Sequence, residues 1–346
     1  MKVLSLGLDR NILDKNSAVA QRAFLYESKL DKYLVLVPDT GNKILALFKL
    51  YFLLKQTLKK DKFDLVTIQD IYFLPLVVWP LRARYKFKVE IQVHGFEKFN
   101  IFRRLLFKYN IKKADLVRVV SLRLKKELVN NFKLADNKIY IAPVAVDKNK
   151  FLEKNSSIDL HQEYPGKFIF LTVSRLVPVK NIALQFEVIA RLSEDIKHKI
   201  ILLVIGDGPE KNNLQDLVKN LQIEEQVKFL GSGFSLDLVS YYKRADCFLL
   251  TSNSEGYGMV IAEAVLSDLP VIMTDVGVAG ELVEDNINGF VVPVNNVEIL
   301  KQKMELVIQD KNLLIKFKNN ASIFKDKILD KEELINQVIT NWQGLL

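Results

Sequence analysis

The stretch DCFLLTSNSEGYGMVIAEA, Asp246 to Ala264, decides how the rest of the chain is read. It opens as an apolar run of strand length, passes through a cluster of turn formers around Ser252–Gly256, and continues from about Gly258 with helical spacing. A strand, a tight turn and a helix in direct succession make half of a βαβ unit. Glu255 then lies in the turn. Glu263 lies on the helix's second turn, where side chains lean back towards the helix N-terminus. Gly256 and Gly258 let a ligand approach the backbone, and the N–H groups of Tyr257, Gly258 and Met259 lack intrahelical acceptors. Such a turn sets donors for a phosphate or sugar oxygen beside carboxylates that accept from hydroxyls. Read alone, Glu263 would be an ordinary surface residue of its helix. No Asp-x-Asp pair and no histidine cluster accompanies the two carboxylates, so the pattern gives no metal site.

The same alternation extends in both directions. Strand candidates in the first half are residues 2–8, 33–38, 64–69, 87–94, 115–121 and 138–144, with amphipathic segments such as 43–60, 100–113 and 122–132 between them. In the second half they are 168–174, 199–206, 227–231, 246–252, 269–275 and 290–294, and helices from about 296 to 346 close the chain. Alternation of this kind implies parallel sheets covered by helices on both faces. The polar stretch KNSSIDLHQEYPG, 154–166, ends in Pro-Gly, has no periodicity and reads as a linker. The expected fold class is therefore α/β, with two doubly wound Rossmann-like domains. The first spans 1–155 and the second 156–325. Residues 326–346 form a C-terminal helix that is expected to pack back towards the first.

In doubly wound sheets ligands sit beyond the carboxyl ends of the strands. After strand 168–174 comes SRLVPVKN, with Arg175 at the strand end and Lys180 near the next helix. A guanidinium that forks two oxygens and a lysine acting as a point charge would clamp a diphosphate without a metal. The bland alternative is two solvated cations. The turn GDGPEKNN after strand 199–206 opens like a dinucleotide fingerprint, but Lys211 stands where its third glycine belongs. A tight strand-to-helix turn accounts for it better. In the first half His94 follows a strand directly and precedes Gly95, while His161 and His198 lie in polar surroundings. A lone histidine at such a place is either structural or part of a site.

Composition narrows the class. With 346 residues, 49% hydrophobic and 26% charged, the chain is globular and long enough for two cores. Its single cysteine, Cys247, lies in an apolar run and has no disulfide partner, which points to a reducing compartment. The start MKVLSLGLDR reads as a first strand, and the longest apolar runs fall short of a membrane span. A cytoplasmic protein is expected. Charge is uneven: residues 1–155 hold 31 basic against 15 acidic residues, and the remainder 19 against 26. The basic half predicts an anionic partner. No zinc spacing, aromatic binding signature or helix-turn-helix pattern supports nucleic acid. NIFRRLLFKYNIKK, 100–113, carries five Lys/Arg and no acid. It is either a basic amphipathic helix lying on anionic lipid, so that the protein is peripheral on the membrane's inner face, or a sheet-packing helix with solvated cations.

Taken together these motifs resemble the family 4 glycosyltransferases, retaining enzymes of GT-B fold. SRLVPVKN, VIGDGPEKNNLQDLVKNL, VKFLGSG, YYKRADCFLLTSNSEGYGMVIAEA and LPVIMTDVGVAGELVEDNINGFVVP follow in the family's order, and the spacing of Glu255 and Glu263 is its signature. The resemblance implies two domains facing across a cleft and transfer from a nucleotide-diphosphate sugar, with UDP favoured over GDP and with neither cofactor nor metal. Arg175 and Lys180 would stabilise the diphosphate and Glu263 would hold the ribose hydroxyls. Glu255 with the backbone of Gly256–Met259 would grip the sugar and phosphate, and His94 would touch the sugar. Where relatives carry a Gly-Gly pair in the first loop, this chain has Ser17 and Ala18. Their Pro-Asn-Gly-Val-Asp turn is here Pro143-Val144-Ala145-Val146-Asp147. The acceptor, a sugar, lipid-linked glycan or protein, is not specified. A catalytically silent sugar-nucleotide-binding or membrane scaffold protein is the alternative from another class. A GT-B epimerase or phosphorylase disagrees with the two-glutamate signature, and a nicotinamide dehydrogenase with the imperfect glycine turn.

Overall fold

Residues 200–205, IILLVI, have no polar face, and a strand of that kind is stable only between two layers of helices. That requirement shapes both halves of the chain. The computed structural model describes the protein apart from residues 9, 15–16, 39, 97–99, 153–157 and 234–236 and the side chains of residues 13, 18 and 43. In the first half the strands are β1 Lys2–Leu6, β2 Lys32–Leu36, β3 Leu65–Ile68, β4 Lys88–Val93, β5 Leu116–Val119 and β6 Ile139–Ile141. In the second they are β7 Phe168–Val173, β8 Ile200–Ile205, β9 Val227–Gly231, β10 Cys247–Leu250, β11 Val271–Thr274 and β12 Gly289–Val292. They form two six-stranded sheets, ordered β2-β1-β3-β4-β5-β6 and β12-β11-β10-β7-β8-β9, with every pairing parallel. The α/β expectation and its strands are found where the sequence puts them.

Two compact units result, Met1–Ala145 with Asp330–Leu346, and Val146–Leu329. Of the polar stretch 154–166, the first residues lie outside the described set, and Leu160–Glu163 forms one helical turn with Leu160 buried.

In the first unit the helix Leu122–Phe132 shows why the helices pack as they do. Its buried residues Leu124, Leu128 and Phe132 recur every fourth position, Ser121 caps its start, and Lys133 ends it in the left-handed region. The C-terminal helix Lys331–Gln343 opens with a capping box of Asp330 and Glu333. Its Trp342 is buried, stacks on Tyr26 at 5.2 Å and donates to Glu90 Oε1 at 2.8 Å. Glu90 is fully buried and also accepts from the hydroxyls of Thr67, at 2.5 Å, and Tyr140. A buried carboxylate without a bonded cation is tolerated when donors surround it.

In the second unit the sheet is closed on one side by Phe170, Leu202, Val204, Cys247 and Leu249 with Phe290, Leu300, Met304 and Phe317. Cys247 is buried among them, as its apolar run suggested, and burial pushes its thiol far up. The strand order decides where a ligand can go. The chain runs outward through β7, β8 and β9, returns to lay β10 against the other side of β7, and continues outward through β11 and β12. The loops after β7 and β10 therefore diverge and leave a crevice at the sheet's carboxyl edge.

Candidate active site

Both divergent loops carry the residues singled out above. β7 runs into Ser174 and Arg175, and a single 3-10 turn, Pro178–Lys180, follows. Arg175 is exposed, and its side chain makes no ion pair or hydrogen bond among the described residues, while its carbonyl accepts from Val177 N at 2.9 Å. The loop beneath it is pinned by the buried Leu176, whose N–H donates to Asp207 O at 2.9 Å and whose carbonyl accepts from Glu210 N at 3.0 Å. A Cβ at Gly206 would lie 1.8 Å from Ser174 O, and one at Gly208 2.4 Å from Leu176 O. The glycines of GDGPEKNN are thus the floor of the Arg175 loop, the tight-turn role expected of them.

The second loop meets the first through an ion pair. Lys180 Nζ lies 2.6 Å from Glu255 Oε1, with the side chains only 19% and 11% exposed, and Ser252 Oγ donates to the same oxygen at 2.7 Å. The family resemblance assigns Lys180 to a diphosphate and Glu255 to the sugar and phosphate. In the structure the two residues also hold each other. The remaining oxygen of Glu255 faces no partner among the described residues, and a lysine ammonium carries three donors. The pair can therefore present donors and an acceptor side by side.

Lys180 is held from below as well. Asn181 adopts the left-handed region, φ 47°, and its side-chain amide donates to Asn253 Oδ1 at 3.3 Å and Asn295 Oδ1 at 2.8 Å. The buried Gln185 accepts from Thr172 at 2.8 Å and donates to Thr251 at 2.9 Å, and Thr251 donates to the carbonyl of Asn181 at 3.0 Å. Sequence reading missed Gln185 and Thr251 because their partners are far away along the chain, and Ser252 because its neighbour Glu255, three residues on, was read as facing a ligand. It also missed Gly277, at φ +54°, where a Cβ would lie 2.5 Å from Tyr257 O and 2.9 Å from Glu255 Cβ.

The helix after the turn begins as expected, Met259–Leu266 with Gly258 as N-cap. The N–H groups of Tyr257, Gly258 and Met259 bond nothing among the described residues, while Tyr257 O accepts from Val278 N at 3.2 Å. Gly256 sits in the same turn between Glu255 and Tyr257. Glu263 is half-buried and its Oε2 accepts from Tyr242 Oη at 2.7 Å. Burial raises its pKa, against the opposing effects of the Tyr242 hydroxyl and Lys150. Tyr242 is buried and stacked on Phe248 at 5.5 Å, so it fixes the carboxylate from beneath.

Ser17 and His94 belong to the first unit. Ser17 caps the helix Ala18–Glu27: its Oγ accepts from Ala20 N at 3.1 Å and donates to Asn11 O at 2.6 Å, and its N–H donates to Asp14 O at 3.0 Å. His94 follows β4. Its surface is exposed, yet desolvation by the surrounding protein, with Arg118 and Arg22, lowers its pKa to about 4. Exposure and desolvation pull against each other here. The two cations lower the pKa whichever weighs more, so the imidazole is neutral at pH 7.

Comparison with known proteins meets this geometry. The family model Glycosyltransferase Family 4 matches residues 22–150, and Glycosyl transferases group 1 matches residues 153–323. The chain belongs to the family 4 glycosyltransferases. This family 4 chain is 32% identical, over 69% of its length, to the N-acetylgalactosamine-N,N'-diacetylbacillosaminyl-diphospho-undecaprenol 4-alpha-N-acetylgalactosaminyltransferase of Campylobacter jejuni, covering 64% of it. It is 29% identical, over 58% of its length, to the UDP-Gal:alpha-D-GlcNAc-diphosphoundecaprenol alpha-1,3-galactosyltransferase of Escherichia coli, covering 52% of it. The matches thus span less than two thirds of either relative. Anabaena HepE, solved in complex with UDP, superposes with a TM-score of 0.81 over 99% of this chain and 100% of that one. At 20% identity that likeness shows the GT-B fold. Among the described residues no group of three or more His, Cys, Asp or Glu could hold a metal ion.

Proposed function

We infer that the chain is a retaining glycosyltransferase acting on a nucleoside-diphosphate sugar and a lipid-linked hydroxyl acceptor, in envelope polysaccharide or glycolipid synthesis. The observation that carries this reading is the Lys180–Glu255 pair beside the exposed Arg175, at the point where the strand order reverses. The loop after β7 carries both cations and the turn after β10 carries the free N–H groups, the kinds of donor that receive a diphosphate. They take the charge-neutralising part of a divalent ion, so the proposed reaction is metal-independent. UDP is the favoured nucleotide because the Anabaena structure holds it and the Escherichia coli relative is named for UDP-Gal. Both named relatives are described by diphospho-undecaprenol-linked acceptors, which supports lipid-linked glycan as the acceptor class.

In this mechanism the bond from the sugar's anomeric carbon to the diphosphate oxygen breaks while the acceptor oxygen approaches from the same face. The acceptor's proton passes to the departing phosphate oxygen. Arg175 and Lys180 stabilise the charge that develops on the leaving group, which lowers the barrier only as far as they bind it better in the transition state. Glu255, Gly256 and the N–H groups of Tyr257–Met259 orient the sugar and phosphate, and Glu263 accepts from the ribose hydroxyls. Neutral His94 serves as a hydrogen-bond partner of the sugar. Ser17 is the weakest member of the donor set, since contact there would break the bonds that cap its helix.

Calorimetric titration of UDP, GDP and ADP without added metal tests the reading. One nucleotide should bind selectively, and Arg175→Ala should weaken it by about 1.5–3 kcal/mol, the range for a hydrogen bond to a charged group. Unchanged affinity would remove Arg175 from the clamp. No binding by any nucleotide would favour a catalytically silent protein of the same fold.

A further inference from the structure

The second unit holds a cavity that the transfer chemistry leaves unused. The helices Leu238–Arg244 and Met259–Leu266 follow β9 and β10, so both run back and end at the amino edge of the sheet. The crevice between the β7 and β10 loops opens at the other edge. Along Met259–Leu266 alone the rise between the two edges is roughly 11 Å, at ~1.5 Å per residue. Lys148–Leu152 and Lys311–Lys325 both pack on that helix. Residues of all four helices, together with the turn Ser267–Asp268, line a cavity of about 430 Å³. That is the size of a small-molecule site, commonly ~300–1,000 Å³.

The lining mixes two chemistries. Phe151 and Leu266 are buried and Leu152 is 49% exposed, which gives the cavity an apolar part. Lys243 and Arg244 give it a cationic part. Both lie in the last turn of their helix, where the dipole favours cations and open carbonyls accept from them. Neither side chain bonds such a carbonyl or any carboxylate among the described residues, so their donors stay available. Lys325 is the third cation and Asp268 the single acid of the lining, and the two pair at 2.7 Å. One carboxylate against three cations leaves the lining two positive charges in excess. Ser267 adds an orphan. Its N–H donates to Glu263 O and Ala264 O, both at 3.1 Å, but its Oγ is buried and bonds nothing among the described residues. A buried hydroxyl in that state has given up water without a replacement, and a ligand oxygen in reach would supply one.

Two excess charges match a phosphate monoester, which carries about −1.5 to −2 at pH 7, whereas a carboxylate would leave one cation unanswered. An arginine fork and lysine point charges are the donors that phosphate takes. The apolar residues call for a body on that phosphate that prefers them to water. We propose that this cavity is a second binding site, for a phosphomonoester of a small apolar or aromatic molecule. The phosphate meets Lys243, Arg244 and Lys325 and accepts from Ser267 Oγ, and the body covers Phe151, Leu152 and Leu266. None of these residues belongs to the diphosphate clamp, so the proposal stands apart from the transferase reading.

Phenyl phosphate is the probe, with inorganic phosphate beside it. Each is titrated by calorimetry into the full chain saturated with UDP, which keeps Arg175 and Lys180 occupied. Phenyl phosphate should bind, about tenfold more tightly than inorganic phosphate, from the apolar surface its ring covers. Lys243→Gln/Arg244→Gln should weaken it by about tenfold per cation, on the order of a hundredfold in all. The unfolding midpoint of that variant should not move, since neither side chain has a partner to lose. Leu152→Ser should remove the preference for the ring. Arg175→Ala should bind phenyl phosphate as wild type does, even where it has lost UDP. Wild type that binds no phenyl phosphate, a glutamine variant that binds it like wild type, or a Leu152→Ser variant that keeps the preference overturns the proposal. So does binding that Arg175→Ala abolishes, which would put the phosphate in the clamp. A wild-type dimer by light scattering that the glutamine variant dissociates overturns it too, because acidic residues of a second copy would then fill the cavity. Failure of UDP to bind at all would remove the transferase reading, and the glutamine variant would still decide this one.

Discussion

Removing one member of the Lys180–Glu255 pair should cost stability and donor binding together, and a double substitution should separate the two. The pair is short, 2.6 Å, and mostly shielded from water, with the side chains 19% and 11% exposed. Lys180→Met removes a charge-assisted hydrogen bond, about 1.5–3 kcal/mol, and leaves Glu255 with Ser252 as its bonded neighbour. Full burial of an unpaired charge would cost about 3–5 kcal/mol, and the residual exposure keeps this site below that. A destabilisation of about 2–3 kcal/mol follows. Glu255→Gln keeps an oxygen that accepts from both Lys180 and Ser252, so it should cost about 1–1.5 kcal/mol. In the double variant neither charge is stranded, and its cost should fall about 1–2 kcal/mol below the sum of the singles, a coupling typical of residues in contact. Urea denaturation followed by circular dichroism measures the three stabilities, urea being preferable to guanidinium because it does not screen the pair. UDP calorimetry on the same proteins should show the double variant binding no better than Lys180→Met although it is relatively relieved in stability. Single costs that add within about 0.5 kcal/mol would refute the coupling. Recovered UDP binding in the double variant would refute the diphosphate role of Lys180.

His94 supplies a pH test. Its folded pKa of about 4 lies below the ordinary ~6.5, so between those values the unfolded chain binds more protons. Its contribution is present above pH ~6.5 and is lost as the pH falls through about 4. Urea midpoints of wild type should therefore fall more steeply over that window than those of His94→Gln, and an imidazole resonance titrating near 6.5 would contradict the argument. In the first unit Glu90→Ala strips the acceptor from Thr67, Tyr140 and Trp342 at once and should cost about 3–5 kcal/mol. Glu90→Gln, which keeps a carbonyl oxygen, should cost less, and an alanine penalty under ~1 kcal/mol would mean the three donors do not depend on it.

What the sequence made legible follows from the physics of each element. Parallel strands buried on both faces must be apolar at every position, and runs such as IILLVI stand out against their polar flanks. The βα loop at 251–258 was legible for a related reason: a strand, a glycine-rich turn and a helix each have a local signature. Contacts closed by the fold have none. Lys180 and Glu255 are 75 residues apart in the chain, Tyr242 and Glu263 are 21 apart, and Gln185 and Thr251 are 66 apart. The family resemblance gave each charged residue a ligand and could not show that two of them also hold one another.

Gln185 shows why the site tolerates a charge so near its core. The residue is fully buried, on the helix Ala183–Ala190 that follows the Lys180 turn, and its amide joins Thr172 at the end of β7 to Thr251 just beyond β10. Those are the two strands between which the order reverses. Such strands splay their loops apart, which opens the crevice, so contacts across it must fix the distance between the loops. Beneath the Lys180–Glu255 pair and the bond from Asn253 N to Val179 O, the amide supplies a buried tie. It accepts on the β7 side and donates on the β10 side, and Thr251 extends the chain of hydrogen bonds to the carbonyl of Asn181, next to Lys180. A leucine of similar volume would fill the space, yet it would take away the acceptor of Thr172 and the donor to Thr251 and so cut the amide's tie between β7 and β10. The polar network thus converts the reversal of strand order into a fixed placement of the Lys180 turn between β7 and β10.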